Sequence, residues 1–534
     1  MLSRILAPAA FAAVVLVVPA AVAQPPKNDD ALADRGLAEI DAKDAAVRRA
    51  VKQASPSIVA VYLRERAEFD QPFFERDRRR FPRRMTIEDD TELQAAALGS
   101  GIILDRSGKI LTCYHLVRAA SAGSKYELNV RSQDGMLYAV GKEDIVAGDP
   151  RSDLAVIKVT PTDNARFEPA RFGDGGALFV GQTVLALGNA FGVGIDDGTV
   201  SASIGVVSSV GRKAEPVFPT SVGADQQYRE RRKHLLTWGP LAQVDCRLNL
   251  GTSGGALINT RGEVVGITLA LAARSGMETP GGFVLPYDKL VRRVVETLKA
   301  GKEMEYGFLG VQPKNFTKAE ARATPGMPEV DGVLVGSVVL PQTQRGGLKP
   351  GDVVVAIDGE PVHNSNELVL KVGGAAAGQT LRFKIVRPKE GEQDVSVKLG
   401  KYPVAGPVIA SNGRRAFAGL KVDYLSLLAE DYSINLFDSG PASIPQGGVL
   451  VTDVETSSPA DAAGISPKSV ITSVNGANLE SPDDFVRMVT AAGTKPVKLV
   501  VQSPISKGGM TEWKPQTIEL SEAKPKPKAL EGRP

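Results

Sequence analysis

Three histidines occur in 534 residues, His115, His234 and His363, so a reaction that needs an imidazole base has few candidates. His115 has the most suitable setting. It follows the apolar run Lys109-Ile110-Leu111-Thr112 and precedes Leu116-Val117, a strand-end position from which a side chain reaches a cleft. Asp153 opens the apolar run Leu154-Ala155-Val156-Ile157, which places its carboxylate, partly buried, near a barrel edge. Ser253 lies in Gly251-Thr252-Ser253-Gly254-Gly255, where the glycines permit a tight backbone with the N–H groups of Gly251 and Ser253 pointing one way. Base, orienting acid, nucleophile and oxyanion donors are the four parts that acyl transfer requires. Each residue alone has a plainer reading as a cap, a turn or a structural histidine; the combination, in the order His, Asp, Ser, carries the chemistry.

Such residues need a rigid frame, and the surrounding pattern supplies one. Alternating, β-branched runs at 58–63, 99–104, 109–112, 154–159, 183–187 and 199–210, separated by Gly, Asp and Pro, predict several short strands in a barrel or sandwich. Residues 287–300 read as a closing amphipathic helix, basic at Arg292 and Arg293 and stopped by Gly301. The 55 Gly, 35 Pro and 5% aromatic residues favour turns and small β-rich domains over a helical bundle. A chain of this length exceeds a single core, and about three or four folded units are expected. The formal net charge of +3 excludes a whole-protein commitment to nucleic acid or an anionic membrane.

Local features complete the frame. Residues 1–23 read as a signal peptide: Met1-Leu2-Ser3-Arg4 is a short basic start, an apolar run follows, and Ala21-Val22-Ala23 is a small-residue cleavage site. Export is therefore expected, to the periplasm or cell envelope. Residues 24–56 form a leader with a short helix, rich in Ala, Leu, Glu, Lys and Arg. The basic run Arg76-Asp77-Arg78-Arg79-Arg80-Phe81-Pro82-Arg83-Arg84 lies in a charged loop and reads as a solvated or regulatory surface, with no nucleic-acid partner implied. Two cysteines, Cys113 and Cys246, make no disulfide scaffold. Spacing leaves open whether they pair or stay as buried thiols. No metal-ligand cluster and no phosphate-binding loop stands out, so no cofactor is expected.

The C-terminal half repeats itself. Gly332-Val333-Leu334-Val335, Gly347-Leu348-Lys349-Pro350-Gly351-Asp352 and Ala356-Ile357-Asp358-Gly359 recur as Gly448-Val449-Leu450-Val451, Gly464-Ile465-Ser466-Pro467-Lys468-Ser469 and Ser473-Val474-Asn475-Gly476, with 117 residues between Gly359 and Gly476. Each copy continues into a helical segment and a terminal strand, which defines two similar domains of about 100 residues.

Three segments carry a likeness to a known family: Thr112-Cys113-Tyr114-His115-Leu116-Val117, Asp149-Pro150-Arg151-Ser152-Asp153-Leu154-Ala155, and Gly251-Thr252-Ser253-Gly254-Gly255-Ala256-Leu257. With Gly188-Asn189-Ala190-Phe191-Gly192 and Arg261-Gly262-Glu263-Val264-Val265-Gly266-Ile267 they resemble the HtrA/Deg family of exported serine proteases, and the repeats resemble the PDZ domains that follow the protease there. The order of the three residues is also that of chymotrypsin. The resemblance implies a mainly β protein, a chymotrypsin-like double β-barrel followed by two PDZ-like α+β domains. It implies a serine endopeptidase of unfolded or damaged proteins, assembled as a homo-oligomer built on trimers. A non-proteolytic peptide-binding chaperone or scaffold is the alternative.

Motif by motif, the resemblance makes Ser253 the nucleophile, His115 the base, Asp153 its orienting partner, and Gly251 with Ser253 the oxyanion hole. Leu248 falls at an S1 position, and Gly307-Phe308-Leu309-Gly310-Val311 at a loop that receives a peptide C-terminus, with Phe417-Ala418-Gly419-Leu420 its counterpart in the second repeat. Thr252 stands where the family usually has Asn, Leu250 and Ala256 where it has Pro, and Cys113-Tyr114 where it has small or polar residues. An insertion at 214–238 reads as a surface loop. The expected boundaries are protease 57–301, first PDZ-like domain 302–400, linker 401–415, second PDZ-like domain 416–522 and disordered tail 523–534.

Overall fold

The computed structural model describes residues 29–65, 98–121, 126–161, 167–213, 234–269, 282–404, 406–428, 444–507 and 510–522. The signal peptide, the basic run 76–84, most of the 214–238 insertion and the tail lie outside the described residues. Contacts divide the chain into Met1–Arg49 and Ala50–Pro534. The leader forms one helix, α1 (Asp29–Ala54), as its run of good helix formers requires.

Seven strands, β1 (Ile58–Glu65), β2 (Leu98–Ile103), β3 (Lys109–Cys113), β4 (Tyr126–Arg131), β5 (Leu137–Val140), β6 (Ile145–Asp149) and β7 (Leu154–Lys158), make a barrel-like antiparallel sheet in the order β6-β7-β3-β2-β1-β4-β5. Helix α2 (Tyr114–Ser121) starts directly from the end of β3. Six more strands, β8 (Thr183–Gly188), β9 (Ser201–Arg212), β10 (Leu241–Val244), β11 (Ala256–Ile258), β12 (Val264–Leu269) and β13 (Gly282–Pro286), close into a barrel in the order β10-β13-β12-β11-β8-β9. Alternate residues such as Val184, Ala186, Val244 and Val284 fill its interior. Helix α3 (Lys289–Lys299) is N-capped by Asp288, whose carboxylate accepts from the Val291 N–H at 2.9 Å. Its buried face, Val291, Val294, Val295 and Leu298, lies on β6 and β7, and each residue contributes about 1.5–3 kcal/mol over exposure.

The first repeat comprises β14 (Gly307–Phe308), β15 (Val311–Phe316), β16 (Gly332–Val338), β17 (Val353–Ile357), β18 (Glu360–Pro361), helix α4 (Ser365–Gly374), β19 (Thr380–Arg387), β20 (Gly391–Lys398) and β21 (Gly400–Lys401). Its main sheet runs β15-β16-β17-β19-β20, and β14 pairs with β21. A two-residue strand, β22 (Ile409–Ala410), then pairs with β6 of the first sheet, Ile409 opposite Gly148 and Ala410 opposite Ala147. The second repeat has β23 (Leu420–Tyr424), β24 (Val449–Val454), β25 (Val470–Val474), β26 (Ala477–Asn478), helix α5 (Pro482–Ala492), β27 (Val497–Lys507) and β28 (Met510–Leu520), in the order β23-β24-β25-β27-β28. The same trace and the same interior, Val333, Val354 and Phe383 against Val449, Ile471 and Leu499, confirm the internal duplication.

Candidate active site

Antiparallel pairing of β3 with β7 sets Cys113 opposite Leu154, which brings His115, just past the end of β3, to Asp153, just before the start of β7, although they are 38 positions apart. The Asp153 carboxylate grips one histidine twice: Oδ2 lies 2.7 Å from His115 Nδ1, and Oδ1 accepts the His115 backbone N–H at 3.0 Å. Asp153 adopts φ +58°, a left-handed conformation that an Asp tolerates at some cost. Its carbonyl is held there by the Tyr114 N–H at 2.9 Å. The His115 and Asp153 side chains are 17% and 15% exposed, sheltered enough to strengthen their bond and open enough to meet a substrate.

Ser253 arrives from the other barrel. Its carbonyl accepts the Ser100 N–H at 2.8 Å, and the Gly254 N–H donates to the Thr268 carbonyl at 2.9 Å. Gly254 has φ +82°, and a Cβ there would collide with the Ser100 carbonyl and sit 3.0 Å from Thr112 Oγ1 and 3.2 Å from Cys113 N. Glycine therefore lets the serine loop pack onto the end of β3, two residues short of His115. Gly251, at φ +94°, is equally confined by the Asn189 carbonyl. The loop is anchored on both sides of the serine: the Thr252 carbonyl accepts from Thr268 Oγ1 at 2.5 Å, and the Gly251 carbonyl from Ser100 Oγ at 2.8 Å.

Ser100 was not legible as a site residue, nor was Asn189. The buried Ser100 hydroxyl accepts the Asn189 N–H at 2.8 Å while donating to Gly251, so one hydroxyl ties the Asn189 turn to the serine loop. The only sequence signal was a serine between two glycines in a strand, Gly99-Ser100-Gly101. Asp149, like Asn189, lies in a segment that sequence did single out. Its buried carboxylate accepts from Tyr306 OH, from Ser152 Oγ at 2.5 Å and from the Arg151 and Ser152 N–H groups at 3.2 and 3.1 Å. Burial pushes its pKa up, against the lowering by these hydrogen bonds.

Both cysteines are free, buried thiols, which resolves the alternative left open by spacing. Cys246 fills the closed barrel, and burial, aided by Asp245, pushes its thiol up to about 11, away from reactive thiolate. The Cys113 thiol lies within 4.8 Å of the ligating atoms of His115 and Asp153. Among the described residues these three are the one group of His, Cys, Asp or Glu side chains close enough together to hold a metal ion.

Leu248 is buried with the barrel interior, where a Cβ at Gly282 would strike its side chain. Gly307, Phe308, Leu309, Gly310 and Val311 line a cavity closed on its other side by Leu368, Val369 and Val372, on and beside one face of α4. The Gly310 φ of +66° turns this loop into β15.

A barrel-like sheet and a closed barrel, with the His115–Asp153 pair on one and the Ser253 loop of the other packed against the same strand end, followed by two α+β modules of one trace, are the architecture of a trypsin-like serine peptidase with PDZ domains. Comparison with known families agrees: residues 99–267 match the trypsin-like peptidase domain, and 307–399 and 450–503 each match the PDZ domain. A protein of Ectopseudomonas mendocina named "Probable periplasmic serine endoprotease DegP-like" is 31% identical over 463 residues, covering 82% of this chain and 87% of that one. A Bartonella henselae protein of the same name is 29% identical over 446 residues, covering 82% and 78%. The solved HtrA-type protease AlgW with a tripeptide is 25% identical, with a TM-score of 0.48, over 69% of this chain and 99% of that one. The chain belongs to the family of DegP-like serine endoproteases.

Proposed function

We propose that Ser253 is the nucleophile of this peptidase, His115 its general base and then acid, and Asp153 the carboxylate that fixes the imidazole. The observation that carries this reading is the double grip of Asp153 on His115, at 2.7 and 3.0 Å, with the Ser253 loop packed on the same strand end. Asp153 accepts from Nδ1–H, which leaves Nε2 free of a proton and able to accept the serine proton as Oγ attacks a carbonyl carbon. The imidazolium formed is stabilised by the carboxylate and returns its proton to the leaving amine. The N–H groups of Gly251 and Ser253 receive the oxyanion, on a loop fixed beforehand by Ser100 and Thr268 so that little reorganisation accompanies the reaction.

The substrates are unfolded or damaged proteins of the periplasm or cell envelope, where the chain acts as a homo-oligomer. Leu248 forms the floor of an S1 pocket for a small or medium aliphatic residue. The loop 307–311 takes a peptide C-terminus, its N–H groups on the carboxylate and the cavity beside α4 on the last side chain. The functional parts are the signal peptide 1–23, the leader 24–56, the protease 57–301, the PDZ domains 302–400 and 416–522, and the connector 401–415.

Degradation of unfolded casein by the full chain tests the reading. Ser253→Ala is expected to lose activity by about a millionfold in kcat with an unchanged melting temperature. Undiminished degradation by that variant removes Ser253 from the mechanism. Peptide binding that persists without any proteolysis in the wild type would instead establish the chaperone reading.

A further inference from the structure

Residues 402–404 and 406–412, between the two PDZ domains, return to the protease and meet both elements that carry its candidate catalytic pair. Pro407 accepts a 2.7 Å hydrogen bond from the hydroxyl of Tyr114, the residue before His115. Tyr402 lays its ring 3.7 Å from the guanidinium carbon of Arg151, two residues before Asp153. The pairing of β22 with β6 is prolonged by the Ser411 N–H, which donates to the Val146 carbonyl at 3.0 Å. Beside that pairing, Gly148 leaves room for the Tyr114 ring: a Cβ there would lie 2.9 Å from the ring and 3.5 Å from Ile409. The segment is moored at both ends. Lys401, 3% exposed, is bound at 2.6 Å by both Glu303 and Asp423, and Arg414 by Glu305 at 2.5 Å and Asp483 at 3.0 Å.

Arg151 shows what depends on this arrangement. Its side chain is buried, and among the described residues none of its three nitrogens has a hydrogen-bond partner. What faces the cation is aromatic, the ring of Tyr402 and, at 4.6 Å, that of Tyr306. Ring faces compensate only part of the lost hydration of a buried cation. If Tyr402 withdraws, water reclaims the guanidinium and the Asp149-Pro150-Arg151-Ser152-Asp153 loop moves with it. The left-handed backbone at Asp153 is then without its support.

We propose that the connector 402–412 is part of the catalytic apparatus, and that Tyr402, Arg151 and Tyr114 are positioning residues that hold the His115 and Asp153 loops in reactive register. The proposal rests on the triad reading above. Neither Tyr402 nor Tyr114 touches the reacting atoms; each acts through the residue it holds.

The test uses the full chain, a short peptide reporter that occupies only the active site, and the low-field proton resonance of the His115–Asp153 hydrogen bond. Tyr402→Ala is expected to lower kcat about ten- to a hundredfold, the scale of a slightly misplaced catalytic group, with KM little changed and the low-field resonance lost. Tyr402→Phe, which keeps the ring, restores both. Tyr114→Phe, which deletes only the hydroxyl on Pro407, lowers kcat about fivefold, the equivalent of one hydrogen bond. A wild-type kcat and resonance in Tyr402→Ala, or a Tyr402→Phe chain as impaired as the alanine variant, overturns the proposal. If Tyr402→Ala fails to fold, Tyr114→Phe decides alone, and an unchanged kcat there overturns it. Ser253→Ala separates the two claims: activity in that variant defeats the nucleophile assignment, whatever the tyrosines do.

Discussion

The two PDZ domains follow one chain trace yet solve the same buried corner in opposite ways. In the first, Asp352 is 1% exposed and takes Arg387 Nε at 2.7 Å and a second guanidinium nitrogen at 2.9 Å, while that nitrogen also donates to the Gly347 carbonyl. In the second, strand pairing brings Ser469 and Ser503 to the corresponding places, their hydroxyls 3.3 Å apart. Both partners of the ion pair have been replaced together. A lone Asp352 would keep only the Lys349 N–H at 2.8 Å, and a lone Arg387 its bonds to Gly347, Gln393 and Glu390, so either loses charge-assisted bonds, whereas two hydroxyls satisfy each other at little cost. Duplicated domains can exchange a polar pair for another, but only as a pair.

A second contrast lies at the peptide loop. In the first domain the loop 307–311 borders a cavity. In the second, Phe417 is buried with its ring edge-on to Phe485 of α5, centroids 6.2 Å apart. The carbonyls of Ala418 and Gly419 accept from the Ala460 and Glu455 N–H groups at 3.1 and 2.9 Å. The first loop is pinned likewise, its Gly310 carbonyl accepting the Val339 N–H at 2.8 Å, so the two loops differ in the Phe417 ring packed on α5 and not in their backbone bonds.

The largest expected effect breaks the ion pair on one side only. Asp352→Ala should destabilise the first domain by about 1.5–3 kcal/mol, the scale of hydrogen bonds to a charged group, read as early loss of amide protection in β17 and β19 on denaturant titration of the full chain. The double variant Asp352→Ser with Arg387→Ser should recover most of that loss, and equal damage in single and double variants would break the pairwise account. At the grooves, a peptide with a free hydrophobic C-terminus should titrate to one site per chain, and amidating it should weaken binding by about tenfold, or 1.4 kcal/mol. Two equivalent sites by calorimetry would erase the contrast between the loops. The smallest effect is Ser469→Ala, which removes one neutral hydrogen bond and should cost about 1 kcal/mol in the second domain's denaturant midpoint. A cost equal to that of Asp352→Ala would show that the hydroxyl pair is no mild substitute.

The residues proposed for the chemistry stand in short motifs that can be read without coordinates. His115, Asp153 and Ser253 each sit in a local pattern of strand end, strand start or glycine loop, and the repeat announced two domains through glycines that turns require. Residues that act through distant partners were not. Ser100 touches Gly251 across 151 positions, and Tyr114 touches Pro407 across 293. Arg151 reads as one more charged loop residue, and its burial is decided by rings that arrive from 306 and 402. The connector 401–415 reads as a linker because a two-residue strand has no periodicity to detect.

The pairing of β22 with β6 also bears on solubility. The second barrel closes on itself and exposes no strand edge, but the first sheet follows an open path that ends, on one side, at β6. An uncovered strand there would offer backbone donors and acceptors to any extended polypeptide. For a protein whose proposed clients are unfolded chains, that edge would invite strand addition away from the intended groove, and then aggregation of enzyme with client. Residues 409–410 occupy the place first, so that the chain's own backbone acts as a permanent competitor for its most vulnerable edge.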